Sequence, residues 1–140
     1  MQLPARFSEL LAIQKLNEDF CYELDRGTPE NFAALFTENA LYTHGQRTSK
    51  GRLEILAFAK SRRAAGPRTS RHVQSFLRIE FERQDRARAV SSCTTFAASD
   101  NPPIASTVPV LVADFHDVYA IEDARWLLAE RHIVPIFTSA

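Results

Sequence analysis

The stretch Ser61-Arg62-Arg63-Ala64-Ala65-Gly66-Pro67-Arg68-Thr69-Ser70-Arg71-His72-Val73 divides the chain into two kinds of structure. Before it, apolar residues recur every three or four positions; after it they recur every two. Gly66-Pro67 makes the break, because proline cannot continue a helix and holds the residue before it in an extended conformation. Just upstream, Gly51 to about Arg63 carries Leu53, Leu56 and Ala59 on one side with Ile55 and Phe58 beside them, which predicts a helix. Further back, Leu10, Ile13, Asn17, Phe20 and Leu24 form a stripe that Phe7, Leu11 and Cys21 widen, predicting an amphipathic helix over residues 5–26. Arg26-Gly27 stops it. Thr28-Pro29-Glu30 then supplies an N-cap, a proline at the first helical position and an early acid for the helix dipole, so a short helix is expected over about 29–36.

Downstream of the break, residues 70–83 and 86–98 read as strands joined by a hairpin at Arg83-Gln84-Asp85-Arg86. A second pair covers 105–120 and 124–135, connected through Ile121-Glu122-Asp123-Ala124. The proline-rich Ser99-Asp100-Asn101-Pro102-Pro103 separates the two hairpins, and a short strand at about 39–44 adds an edge. Helices first and an antiparallel meander afterwards make an α+β domain, expected to occupy residues 1–140 as a single unit.

Composition narrows the function classes. With 45% hydrophobic and 24% charged residues the 140-residue chain can build a core and does not look disordered. Seventeen basic residues balance seventeen acidic ones, which argues against a general polyanion binder such as a nucleic-acid protein. The balance is local only in part: residues 60–88 hold 9 basic and 3 acidic residues, a segment that reads either as an anion-binding face or as solvated surface. No apolar run approaches the ~20 residues of a membrane helix, and the N-terminus lacks the pattern of a secretion signal, so a cytoplasmic protein is expected. Cys21 and Cys93 lie far apart without metal or disulfide spacing, and the four histidines are scattered. No metal and no cofactor are expected.

Several segments together resemble a known family: Tyr22-Glu23-Leu24-Asp25-Arg26-Gly27 closing the long helix, Phe32-Ala33-Ala34-Leu35-Phe36-Thr37-Glu38-Asn39-Ala40, Gly51-Arg52-Leu53-Glu54-Ile55, Thr69-Ser70-Arg71-His72-Val73, His116-Asp117-Val118-Tyr119, and Trp126-Leu127-Leu128-Ala129-Glu130-Arg131. The resemblance is to the SnoaL-like branch of the nuclear transport factor two-like superfamily. It implies a cystatin-like cone: a curved antiparallel sheet packed on three N-terminal helices around an apolar pocket, commonly as a homodimer. The superfamily includes polyketide cyclases, scytalone dehydratase, ketosteroid isomerase, the small subunits of ring-hydroxylating dioxygenases and non-catalytic binding modules, so fold alone does not choose the chemistry.

Two residues stand out as catalytic candidates. Asp25 falls in the last turn of its helix, where the dipole disfavours a carboxylate by roughly 0.3–1 kcal/mol; the resemblance turns it toward the cone mouth to move a proton on a bound substrate. His72 occupies the strand where the resemblance implies a pocket histidine, and imidazole suits proton transfer near neutral pH. Tyr22, three residues before Asp25, shares its helical face and would orient either group. On this reading Asp25 abstracts or returns a proton alpha to a carbonyl, and His72 is the partner acid or the electrophile on the oxygen. Strand parity groups His72 with Gln74, Phe76 and Arg78 but does not decide which face is inside. Tyr42 and His44 read as pocket lip or as a surface turn, while Phe96 and Trp126 read as core or pocket wall. The second pocket histidine of scytalone dehydratase has no counterpart in Ser91-Ser92-Cys93-Thr94-Thr95-Phe96. The expectation is therefore a binder of an apolar small molecule, acting as a lyase or isomerase without a cofactor. Its rivals are a non-catalytic binding module and an assembly subunit like a dioxygenase small chain.

Overall fold

A computed structural model describes residues 5–105 and 108–139. Three helices come early: α1 (Phe7–Arg26), α2 (Pro29–Ala33) and α3 (Arg52–Ala64). Seven strands follow or interleave: β1 (Phe36–His44), β2 (Arg47–Lys50), β3 (Thr69–Gln74), β4 (Arg78–Arg83), β5 (Arg86–Ala98), β6 (Leu111–Glu122) and β7 (Arg125–Thr138). They form one curved, unclosed sheet in the order β2-β1-β7-β6-β5-β3, with β4 also paired to β5. The helices lie in its concave face, giving the α+β cone.

The local signals act as expected at the helix ends. Gly27 caps α1 by donating its N–H to the Glu23 carbonyl, and the Thr28 hydroxyl accepts the Asn31 N–H at the start of α2. Along β5 buried and open positions alternate: Ala87, Ala89, Ser91, Cys93 and Thr95 point inward. These are small side chains, and small side chains on the concave face let α1 approach closely enough to bury Ile13, Leu16 and Phe20. Phe20, Phe32, Phe36, Tyr42 and Phe58 complete the core as a ring cluster, with neighbouring centroids 5.2–6.5 Å apart.

Three details differ from the sequence reading. The strand expected over 70–83 is two strands, because Ser75 interrupts it: its N–H bonds the Ser92 carbonyl and its hydroxyl accepts the Ser92 N–H, so the segment bends there while both halves stay on β5. Phe76 therefore leaves the parity of His72 and Gln74. The strand expected at 39–44 is no edge: β1 pairs β7 in parallel, making the sheet mixed, and the unforeseen β2 forms the edge. Of the strand expected over 105–120, residues 106 and 107 lie outside the described residues, and β6 begins only at Leu111. Register shifts in the β6–β7 pair at Val112/Ala113 and Val118/Tyr119 bend these strands and bury Val118 and Tyr119 as neighbours, which strict alternation forbids.

Candidate functional site

The C-terminal turn of α1 packs on β3, and this contact joins the two residues that the sequence singled out. Asp25 Oδ1 accepts the His72 Nδ1–H at 2.6 Å and the Ser70 hydroxyl at 2.8 Å, while Oδ2 accepts the backbone N–H of His72 at 2.8 Å. Both side chains are largely buried, 5% exposed for Asp25 and 12% for His72. Three donors thus hold a carboxylate where the helix dipole opposes one. Burial alone would raise the Asp25 carboxyl, but the His72 side chain, the His72 N–H and Ser70 outweigh it and leave it below the ordinary carboxylate value. An ionised carboxylate can only accept, so the bond to Asp25 places a proton on His72 Nδ1. Nε2 makes no hydrogen bond among the described residues and is the nitrogen left for a ligand.

His72 lines a cavity of about 330 Å3, within the usual range for small-molecule sites. Its apolar wall is Phe20 and Leu24 from α1, Phe58 from α3, Ala113 and Phe115 from β6 and Ile133 from β7. Its polar lining comes from Tyr42, His44, Arg47, Arg62, Arg68, Cys93 and Thr95 besides His72. The Tyr42 hydroxyl is held up from its usual value by burial, and His44 is held down by burial and by Arg47.

Other sequence candidates lie elsewhere. Tyr22 is 55% exposed and does not line the cavity, because three residues along a helix also turn the side chain by some 60° away from the Asp25 direction. Gln74 points inward but is bound to Asn17 and Ser91, and it lines a neighbouring recess with Phe76, which is itself 80% exposed. Phe96 lies on the outer side of β5, and Trp126 packs against Phe81 near the start of α1, where its indole N–H bonds Glu9. None of these five contributes to the cavity wall.

Sequence reasoning missed the deepest polar group in the cone. Arg131 and Asp117, both fully buried, pair through Nε–Oδ1 at 2.9 Å and Nη2–Oδ2 at 2.7 Å. Tyr119 donates to Asp117 at 2.6 Å and accepts from Asn17, whose carbonyl oxygen accepts from both Arg131 and Gln74. The guanidinium lies against the rings of both Phe20 and Phe115, 4.3 and 4.5 Å from their centroids. Asn17 falls in the apolar stripe of α1, and a polar residue inside such a stripe was the available signal. Among the described residues no cluster of three His, Cys, Asp or Glu could hold a metal ion. No described helix is long and apolar enough to cross a membrane.

The model of the SnoaL-like domain matches residues 5–132. Solved structures share the fold: a protein of unknown function from Mycobacterium tuberculosis superposes with a TM-score of 0.82 at 21% identity, covering 94% of this chain and 78% of its own. A candidate scytalone dehydratase from Novosphingobium aromaticivorans gives 0.82 at 22% identity over 94% and 87% of the two chains. The hexachlorocyclohexane dehydrochlorinase LinA-type3 from Novosphingobium barchaimii gives 0.78 at 18% identity over 96% and 90%. No curated protein matches the chain by sequence.

Proposed function

The chain belongs to the SnoaL-like domain family, and from that premise we propose that it is a cofactor-independent acid-base enzyme of the cyclase, isomerase or dehydratase type, acting on a small molecule with an apolar cyclic or aromatic body. The observation that carries this reading is the 2.6 Å bond from His72 Nδ1 to an ionised, buried Asp25 at the wall of an apolar cavity. The roles differ from those read off the sequence. The hydrogen bonds of Asp25 go to Ser70 and His72, and His72 but not Asp25 lines the cavity, so the proton of the substrate goes to His72 Nε2 and not to Asp25. Asp25 orients the ring, fixes its tautomer and stabilises the imidazolium that forms. His72 then returns the proton to a different carbon in an isomerisation, or to a departing hydroxyl that leaves as water in a dehydration. Tyr22 has no part in this.

Two features weigh against the rivals. An assembly subunit has a cone filled by side chains, whereas this one retains about 330 Å3. A pure binding module has no need of a buried carboxylate that fixes the tautomer of a cavity histidine. The candidate scytalone dehydratase and the dehydrochlorinase that share the fold are both named for eliminations, which begin with proton removal beside a leaving group.

The test is proton–deuterium exchange in D2O, followed by NMR on a panel of cyclic ketones, β-hydroxy ketones and halogenated carbocycles. Exchange or elimination by the native protein should fall at least about 100-fold in His72→Gln. Activity retained in that variant would refute the assignment.

We also propose that the chain pairs with a second copy through the convex face of the sheet. Val73, Val90, Phe96, Val134 and Ile136 lie open there, between 39% and 59% exposed, on three strands.

A further inference from the structure

The sequence carries its excess of positive charge in residues 60–88, and the fold brings part of it to one place. Arg47 from β2, Arg62 from α3 and Arg68 from the turn before β3 all line the cavity that His72 lines, and no Asp or Glu lines it. Among the described residues none of the three arginines has a carboxylate within ion-pair distance. Arg62 donates to the Leu24 carbonyl at 2.9 Å and reaches the Ser70 hydroxyl at 3.5 Å. Arg47 lies flat against Phe58, 3.8 Å from its centroid, and 5.2 Å from that of Tyr42, with Nη1 buried and without a hydrogen-bond partner. The acid nearest to this group, Asp25, gives all its contacts to Ser70 and His72. Arg62 and Arg68 also line an adjoining recess together with Arg26, Arg63 and Asp25, four arginines against one carboxylate that is already bound to Ser70 and His72.

Cations gathered around a partly desolvated cavity repel one another unless an anion joins them, and walls of low dielectric focus their field into the opening. Burial and the charge of Arg68 act to push a proton off Arg62 and outweigh the opposing pull of Tyr42 and Asp25. The phenyl rings of Phe20, Phe58 and Phe115 face the same space. We propose that the ligand of this cavity is an organic acid, whose ring rests on these phenyl groups and whose carboxylate is held by Arg47, Arg62 and Arg68.

The inference rests on the reading that this cavity is the ligand site, and it narrows the substrate class to carboxylates. The experiment is titration calorimetry of the full chain with 1-naphthoate and with its uncharged counterpart 1-naphthamide, at 20 and 500 mM salt. Naphthoate should bind at least about tenfold more tightly at low salt, and that margin should shrink at high salt. Arg47→Gln, Arg62→Gln and Arg68→Gln should each weaken naphthoate several-fold and leave naphthamide unchanged. Equal affinities for the two probes overturn the proposal, as does failure of both to bind at millimolar concentration. Arg68→Gln also gives a readout that needs no probe: relief of repulsion should raise the Tm at low salt and not at high salt, and a lowered Tm counts against the proposal. The outcomes separate the two readings. Anion preference in a protein that exchanges no carbon acid refutes the catalytic reading alone; exchange on neutral carbon acids with no anion preference refutes this one alone.

Discussion

Replacing Asp25 by Asn tests the assigned chemistry and the local energetics together. Taken from the sequence alone, the change looks harmless or favourable, since a helix C-terminus disfavours negative charge by roughly 0.3–1 kcal/mol. The structure reverses that sign. Asp25 accepts three hydrogen bonds, and an amide has one accepting oxygen and donates from its nitrogen. Hydrogen bonds to a charged group contribute about 1.5–3 kcal/mol, so after the dipole gain the net cost is about 1–2.5 kcal/mol. For 140 residues the unfolding entropy near the midpoint is about 0.3 kcal/mol/K, which makes the expected fall in Tm roughly 3–8 °C. The functional effect is larger. An Asn amide donating to Nδ1 forces the proton of His72 onto Nε2, so the ring enters the cavity as a donor and cannot accept a proton. The same change in a Ser-His-Asp triad costs on the order of 10⁴ in kcat, and a loss of about 10²–10⁴ in exchange rate is expected here. Scanning calorimetry and exchange in D2O measure the two effects on one sample. A Tm that stays level or rises, with exchange intact, would refute both the donor set and the role of His72.

The remaining predictions address the rest of the cone. Arg131→Met should cost about 3–5 kcal/mol, because it strands a buried carboxylate at Asp117, and denaturant unfolding should show most of that loss recovered when Asp117→Leu is added. Acid should destabilise the fold in a defined window: Asp25 has a folded value below its unfolded one, so its contribution is complete above about pH 4 and disappears as pH falls through the folded value. His44 is also lowered, so it favours the neutral fold and should erode stability as pH drops below about 6.5; His44→Gln should flatten that part of the profile in pH-dependent melts. Sedimentation at micromolar concentration should give the mass of two chains, and Val134→Glu, which puts a charge on the open convex face, should shift it to one.

The sequence by itself determined the elements and the family. The change of period at Gly66-Pro67, the Thr28-Pro29 cap and the alternation along 86–98 are local signals: backbone restriction, capping and strand parity act over a few residues, so they survive without tertiary knowledge. Asp25 and His72 were legible too, one as an acid at the wrong end of a helix and one through the resemblance. Their order of action was not, because it depends on which atoms touch across 47 positions of chain. Tyr22 failed for the same reason: sequence spacing gives a helical face, and only packing says what the face meets. The buried Arg131–Asp117 pair depends on the register of β6 with β7, and the three arginines reach the cavity from a strand, a helix and a turn. No local rule distinguishes Arg47 from a solvated surface residue; the stacking of Phe58 against it does. Short-range sterics wrote the strands and helices into the sequence, whereas the charge of the cavity and the tautomer of its histidine exist only once the curved sheet has wrapped the helices.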